Sequence, residues 1–316
     1  MGGGANPLVV HVLDCGIEEA TWNDYASRIT RLAERVHVKT NLVRHVIDMN
    51  RFVNLLGWRN GSKATWARIL IPELLPNVGE CIYSDCDMLF ITDPAEMLKS
   101  LGDQNTLMTG HLNQFGNRHP DACWHRRRGV KFDAAQHLCA GLIAMNLNAF
   151  RTGNLGEKCF EFMADYPDAS ALDQTALNYV CFGRTAFLPD GWGLFPHECH
   201  AYEGRIKAIH YSQGWPWLKC QNYCHALFLR LTRDECALWR DFETRILGLP
   251  PSVSTNPTLK QRLLAMSALV GARFANVLGV KIGRATLQEC VAEYDCHSSA
   301  LENVRQDLFG DIDRWK

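Results

Sequence analysis

Residues 80–87 read Glu80-Cys81-Ile82-Tyr83-Ser84-Asp85-Cys86-Asp87, followed by Met88-Leu89-Phe90. Glu80 to Ser84 suit a short strand. The strand opens into two aspartates one residue apart. In an extended segment residues two apart point the same way, so both carboxylates would face one side. Two carboxylates at a strand's C-terminal end suit a hard divalent cation, with positions left for phosphate oxygens. In an open α/β sheet that edge is where ligands bind. A solvated acidic turn would read the same in isolation, so the rest of the chain must decide.

Outward from this stretch, strands and helices alternate. Leu8 to Leu13 (LVVHVL) is a β-branched run ending at the turn Asp14-Cys15-Gly16. Residues 18–35 place Trp22, Tyr25, Ile29 and Leu32 at helical spacing. Val43 to Ile47 reads as a strand, and Ala64 to Leu75 as a helix bent near Pro72. Thr106 to Thr109 and Gly141 to Asn146 are further strands. This order predicts an α/β domain with a mostly parallel sheet. Near residue 250 the composition shifts to LPPSVSTNP, a linker pattern. Residues 258–284 then carry Lys260, Arg262, Arg273, Lys281 and Arg284 and no acid, and residues 287–316 turn acidic. We expect the α/β domain over 1–250 and a helical tail over 251–316, basic then acidic.

Composition limits the function. Lysine and arginine total 33 against 34 acidic residues, so no global field holds nucleic acid. The 47% hydrophobic content excludes a disordered chain, and 316 residues bury a core without staples. The thirteen cysteines are odd in number and follow an N-terminus, MGGGANP, with neither a basic nor a long apolar segment. We therefore expect reduced thiols in a cytoplasmic protein.

Four further segments bear on the acidic pair. Cys139-Ala140-Gly141 opens an apolar run ending in Asn146; Asp173-Gln174 sits in LDQTALNYV; Leu188 to Trp192 is a turn-rich loop; His210 opens HYSQGWPW. Histidine joins carboxylates around a borderline metal such as Mn²⁺. Alone, His210 would read as a strand-end histidine.

These segments, in this order, resemble glycosyltransferase family 8, the retaining nucleotide-sugar transferases with a GT-A (Rossmann-like) fold. The likeness runs from about Val9 to Trp217, two-thirds of the chain. VVHVLDCGIEE is similar to the family's second strand and turn, and Arg68 in ATWARILIPELL to the arginine before the metal motif. YSDCDMLF is similar to that motif, CAGLIAMN to the Asn-Ala-Gly strand, LDQTALN to the Asp-Gln helix start and HYSQGWPW to the terminal histidine motif. Among family members the likeness is to bacterial lipopolysaccharide galactosyl- and glucosyltransferases.

The resemblance implies an Mn²⁺- or Mg²⁺-dependent transfer of galactose or glucose from a UDP-sugar to a glycan or glycolipid acceptor. It implies that Asp85, Asp87 and His210 hold the metal against the donor diphosphate, with Arg68 adding charge stabilisation. Cys86, Cys139, Ala140, Gly141, Asp173 and Gly214 would line the donor, and Gln174 would lie under the anomeric carbon, making Asp173 and Gln174 the catalytic pair. The metal would neutralise charge growing on the leaving phosphate, and fixed cations would do so without reorganising. Glutamine is a poor nucleophile, which favours same-face attack guided by the leaving phosphate.

Three departures from the family pattern stand out. By the resemblance we expect no counterpart of the family's first strand in these residues; Cys139 stands where the family has an asparagine, and Trp215-Pro216-Trp217 where it has Lys-Pro-Trp, with Lys219 nearby. They motivate a second reading, a sugar-nucleotide or glycan binding relative without turnover. A third, a metal-dependent phosphoryl transferase, fits poorly because the Asp-x-Asp follows a third strand rather than the first.

Other signals have bland counterparts. Trp124 to Arg128 (WHRRR) suits an anionic acceptor or a solvated loop. His197, Cys199, His200, Cys220, Cys224 and His225 lack the spacing of a zinc ribbon. Residues 258–284 place Leu259, Leu263, Met266, Val270, Phe274 and Val277 at helical spacing. That basic amphipathic pattern suits peripheral contact with the inner face of a membrane, or packing on the domain.

Overall fold

The computed structural model describes residues 7–35, 37–58, 61–102, 105–112, 120–131, 133, 136–195, 199, 202–212, 238–239, 241–248 and 304. The chain forms two units. One comprises Met1–Asp85 and Asp93–Pro189, the other Cys86–Thr92 and Asp190–Lys316. The boundary expected at 250 lies outside the described residues, as does the tail beyond it except for Val304.

In the first unit, β1 (Leu8–Asp14) and β2 (Thr40–Val46) pair in parallel across α1 (Glu19–Arg35), a right-sized crossover for a βαβ unit. The turn after β1 is built on Asp14. Its Oδ1 accepts from Gly16 N at 2.8 Å and Ile17 N at 2.5 Å, and its Oδ2 from Arg44 Nε at 2.7 Å. The Ile17 and Gly16 amides and the Arg44 guanidinium hold this carboxyl below its ordinary pKa. Gly16 takes φ 119°, which a side chain would resist.

The central sheet of this unit runs β3 (Glu80–Ser84), β6 (Leu138–Asn146), β5 (Met108–Leu112), β7 (Thr185–Phe187). All nine residues of β6 are buried, as its continuous apolar run requires of a central strand. β6 ends on Asn146, whose side chain accepts from Ala149 N and caps α4 (Leu147–Thr152). Two α-helices follow, α5 (Leu155–Asp165) and α6 (Asp173–Val180). The core includes Phe52, Trp66, Leu138, Ile143, Phe150 and Leu177.

The second unit pairs β4 (Met88–Phe90) with β8 (Ala208–His210) antiparallel. Leu89, Ile91, Leu194, Ile209 and Tyr211 form its core.

The α/β class stands, with one correction. The described strands make a mixed arrangement rather than a mostly parallel sheet: β1·β2 and β5·β7 are parallel, while β3·β6, β5·β6 and β4·β8 are antiparallel. Alternation of strands and helices reports crossovers, not the direction in which a central strand such as β6 is inserted. The helix expected over 64–75 is also different. A 3-10 helix covers Ala64–Leu70, and a single α-helical turn, α2 (Ile71–Leu74), follows with Pro72 at its start. Proline lacks an N–H and is tolerated where helical donors are unpaired. Residues Trp124 to Arg128 belong to a helix, α3 (Pro120–Arg128), not a loop. Trp124 and His125 are buried, and Arg128 Nη2 pairs with Asp168 Oδ2 at 2.6 Å.

Burial sorts the described cysteines. It pushes the Cys81 and Cys181 thiols up to about 12 and Cys159 well above its ordinary value, whereas Cys86 and Cys123 are exposed. The thiolate is the reactive form. Iodoacetamide should label Cys86 and Cys123 first and spare Cys159 and Cys181 until denaturation. Peptide mass spectrometry checks this; labelling of Cys181 in the native protein would contradict the burial.

Candidate active site

In the first unit the site is organised by Arg68, buried in the 3-10 helix Ala64–Leu70. Nη2 meets Asp85 Oδ1 at 3.0 Å, Nε meets Asp173 Oδ2 at 2.9 Å, and Nη1 donates to the carbonyl of Ala140. Thr65 O and Oγ1 accept from the same guanidinium, each at 3.2 Å. The guanidinium carbon lies 4.4 Å from the Tyr83 ring centroid, and Tyr83 OH donates to Asp85 Oδ1 at 2.5 Å. Burial works against the charge on Arg68, but Asp173, Tyr83, Asp85 and Cys139 outweigh it and raise its pKa. Burial raises Asp173, with Arg68 and the Thr65 hydroxyl opposing. Arg68 thus bonds the protein's own oxygens through all three of its nitrogens. It holds two carboxylates and a strand carbonyl in place.

α6 opens with Asp173 and Gln174. Gln174 Oε1 accepts from Ala140 N at 3.0 Å. One turn on, Asn178 Oδ1 accepts from Leu138 N at 2.7 Å, and its Nδ2 donates to Leu138 O at 2.9 Å. β3 pairs with β6 only as far as Ser84↔Leu142, and Asp85 N donates to Gly141 O at 2.8 Å. Beyond that point the two carboxamides take the place of a neighbouring strand along Leu138–Ala140. Cys139 is buried opposite His111.

In the second unit, the β4·β8 register sets Met88 against His210, and Tyr211 N donates to Asp87 O at 2.8 Å. This places Asp87 Oδ1 3.2 Å from His210 Nε2. His210 is buried and stacked on Phe195 at 5.2 Å. A carboxylate and an imidazole facing each other inside a unit are a fitting pair of ligands for a borderline cation.

The segment carrying both aspartates is a turn between β3 and β4, not the extended strand end expected. Gly214, Trp215 to Trp217 and Lys219 lie outside the described residues, as do five members of the histidine–cysteine group. Its remaining member, Cys199, is buried and donates Sγ to Phe195 O at 3.5 Å. Sequence reasoning missed Thr65, Tyr83 and Asn178. Their spacing held a signal: Thr65 precedes Arg68 by three and Asn178 follows Gln174 by four, both helical neighbours. Tyr83 shares a strand face with Asp85.

Solved structures that share this fold are GT-A glycosyltransferases. Galactosyltransferase LgtC, solved in complex with donor and acceptor sugar analogs, is similar over 72% of this chain and 85% of its own, at 19% identity and TM-score 0.54. The apo bifunctional glycosyltransferase WbbM is similar over 66% of this chain and 40% of its own, at 20% identity and TM-score 0.52. The chain belongs to Glycosyl transferase family 8, whose profile matches residues 6–220. General stress protein A of Bacillus subtilis is 25% identical over 166 residues, which are 50% of this chain and 52% of that protein. The chain thus spans about half the length of the curated relatives it matches.

Proposed function

We propose that the chain transfers a hexose, galactose or glucose, with retention from a UDP-sugar to a glycan or glycolipid acceptor. The observation that carries the reading is the Arg68 hub, which ties the first aspartate of the acidic turn to Asp173 and to the Ala140 carbonyl. Asp85, Asp87 and His210 would hold Mn²⁺ or Mg²⁺. Asp87 and His210 already face each other, and Asp85 is tethered to Asp87 through one residue, at most about 7 Å between Cα atoms. When bound, the cation supplies Lewis acidity toward the leaving diphosphate.

The remaining roles belong to side chains. Asp173, held by Arg68 and Thr65, would accept a hydrogen bond from a sugar hydroxyl. Gln174, whose carbonyl oxygen accepts from Ala140 N, would lie under the reacting carbon and is a poor nucleophile. Attack from the face the phosphate leaves therefore suits this site better than a covalent intermediate. The basic 258–284 segment as a membrane contact, and a location on the cytoplasmic face of a membrane, are parts of the same proposal. Among the described residues no helix is long and apolar enough to cross a membrane.

Calorimetry of UDP with and without Mn²⁺ tests the proposal. UDP should bind much more weakly without the cation, because the diphosphate and the three side chains share one coordination sphere. Equal affinity would reject the metal assignment. Hydrolysis of UDP-galactose or UDP-glucose then separates the enzyme from a binding relative.

A further inference from the structure

Asp121, in the first turn of α3, is fully buried. Its Oδ2 lies 2.8 Å from His137 Nε2. Its Oδ1 accepts from Thr175 Oγ1 at 2.7 Å and from Ser170 Oγ. Thr175 Oγ1 in turn accepts from Ala171 N at 3.0 Å.

Ser170 and Thr175 flank Leu172. That leucine takes φ 54° and ψ −122°, a conformation that residues with a Cβ avoid and that persists only where neighbours impose it. The next two residues are Asp173 and Gln174. His137 stands three residues before Ala140, the backbone N–H that Gln174 accepts. One carboxylate is therefore bonded on both sides of the turn that presents Gln174, and also at the entrance of the strand that Gln174 meets. An ionised carboxylate only accepts, so it matches three converging donors. Burial opposes that ionisation, but the His137, Ser170 and Thr175 bonds outweigh it and hold the carboxyl below its ordinary pKa.

We propose that Asp121 is a positioning residue of the candidate site. It holds the Leu172 turn and the Leu138–Ala140 strand entrance in register, and so sets where Asp173 and Gln174 are presented. Its relevance to transfer rests on the reading above, but its test does not.

The test is residue-resolved amide hydrogen exchange. In Asp121→Ala, the amides of Leu138, Ala140, Ala171, Gln174 and Ala176 should exchange at least about tenfold faster than in wild type, as expected when a buried network loses its acceptor. The Cys81–Ser84 and Leu142–Met145 amides should keep their protection. Asp121→Asn should restore wild-type exchange, since its Oδ1 still accepts both hydroxyls and its amide can donate to the other His137 tautomer. Uniform acceleration across β3 and β6 would show a merely structural core residue and overturn the proposal. So would unchanged exchange at 138–140 and 171–176. Should Asp121→Ala not fold, Thr175→Val removes one hydroxyl at similar volume and should accelerate Ala171, Gln174 and Ala176; no change there overturns the proposal equally. Calorimetry of wild-type protein with UDP and Mn²⁺ reports separately on the transfer reading, so a failure of either is distinguishable.

Discussion

Replacing Asp87 by alanine is expected to weaken Mn²⁺-dependent UDP binding by at least about a hundredfold while leaving the protein folded. Loss of a partner that only orients a metal ligand costs about 10–100-fold in affinity, and a direct ligand should cost no less. The fold should survive because the tie between this residue and β8 is made by backbone: Tyr211 N donates to Asp87 O, and β4 pairs with β8 from Met88 onward. Neither bond needs the side chain. Calorimetry with UDP and Mn²⁺, beside a thermal melt, reads both halves. A variant that binds UDP as wild type does would remove Asp87 from the metal site. A variant that loses the fold would make its carboxylate structural.

Arg68→Met is expected to destabilise the protein by about 3–5 kcal/mol, the usual cost of removing one partner from a buried charge pair. Methionine preserves the apolar stem and volume, so the loss is chiefly electrostatic. Asp173 and Asp85 would then face each other's charge without a cation, and the Ala140 carbonyl would lose its donor. The pH dependence follows from the raised pKa of Asp173. A carboxyl whose folded pKa lies above its unfolded value destabilises the fold at higher pH, and that penalty fades as pH falls through the folded value. Without Arg68 the folded value rises further. The deficit of the variant should therefore be smaller at pH 5 than at pH 7. Urea denaturation of both proteins at the two pH values measures it; a deficit below about 1 kcal/mol would mean the hub is solvated.

Much of the candidate site was legible in the chain because its residues carry local signals. The turn Asp85–Asp87 follows an apolar strand, Asp173-Gln174 begins a helix, and His210 ends a strand. Glu80–Ser84 reads as a strand from its residues and is one. What failed locally failed for identifiable reasons. The helix over 64–75 gave way to a 3-10 segment because tertiary burial of Trp66 to Leu70 outweighs local helical preference. The WHRRR stretch reads as solvated from its charge, yet Trp124 and His125 face inward from α3.

By itself the sequence determined the α/β class, the strand that ends in the acidic turn and the residue types able to hold a cation, since each depends on neighbours within a few positions. Only the tertiary structure decided what those residues are bonded to. Thr65 meets Asp173 across 108 positions, Arg68 meets the Ala140 carbonyl across 72, and Gln174 meets Ala140 N across 34. Such partners are chosen by which strand inserts beside which, and by the direction it runs, and no local propensity encodes that. This is why the chain marks Arg68 only as a cation ahead of the acidic turn, while the fold alone shows that it pairs with Asp85 and Asp173.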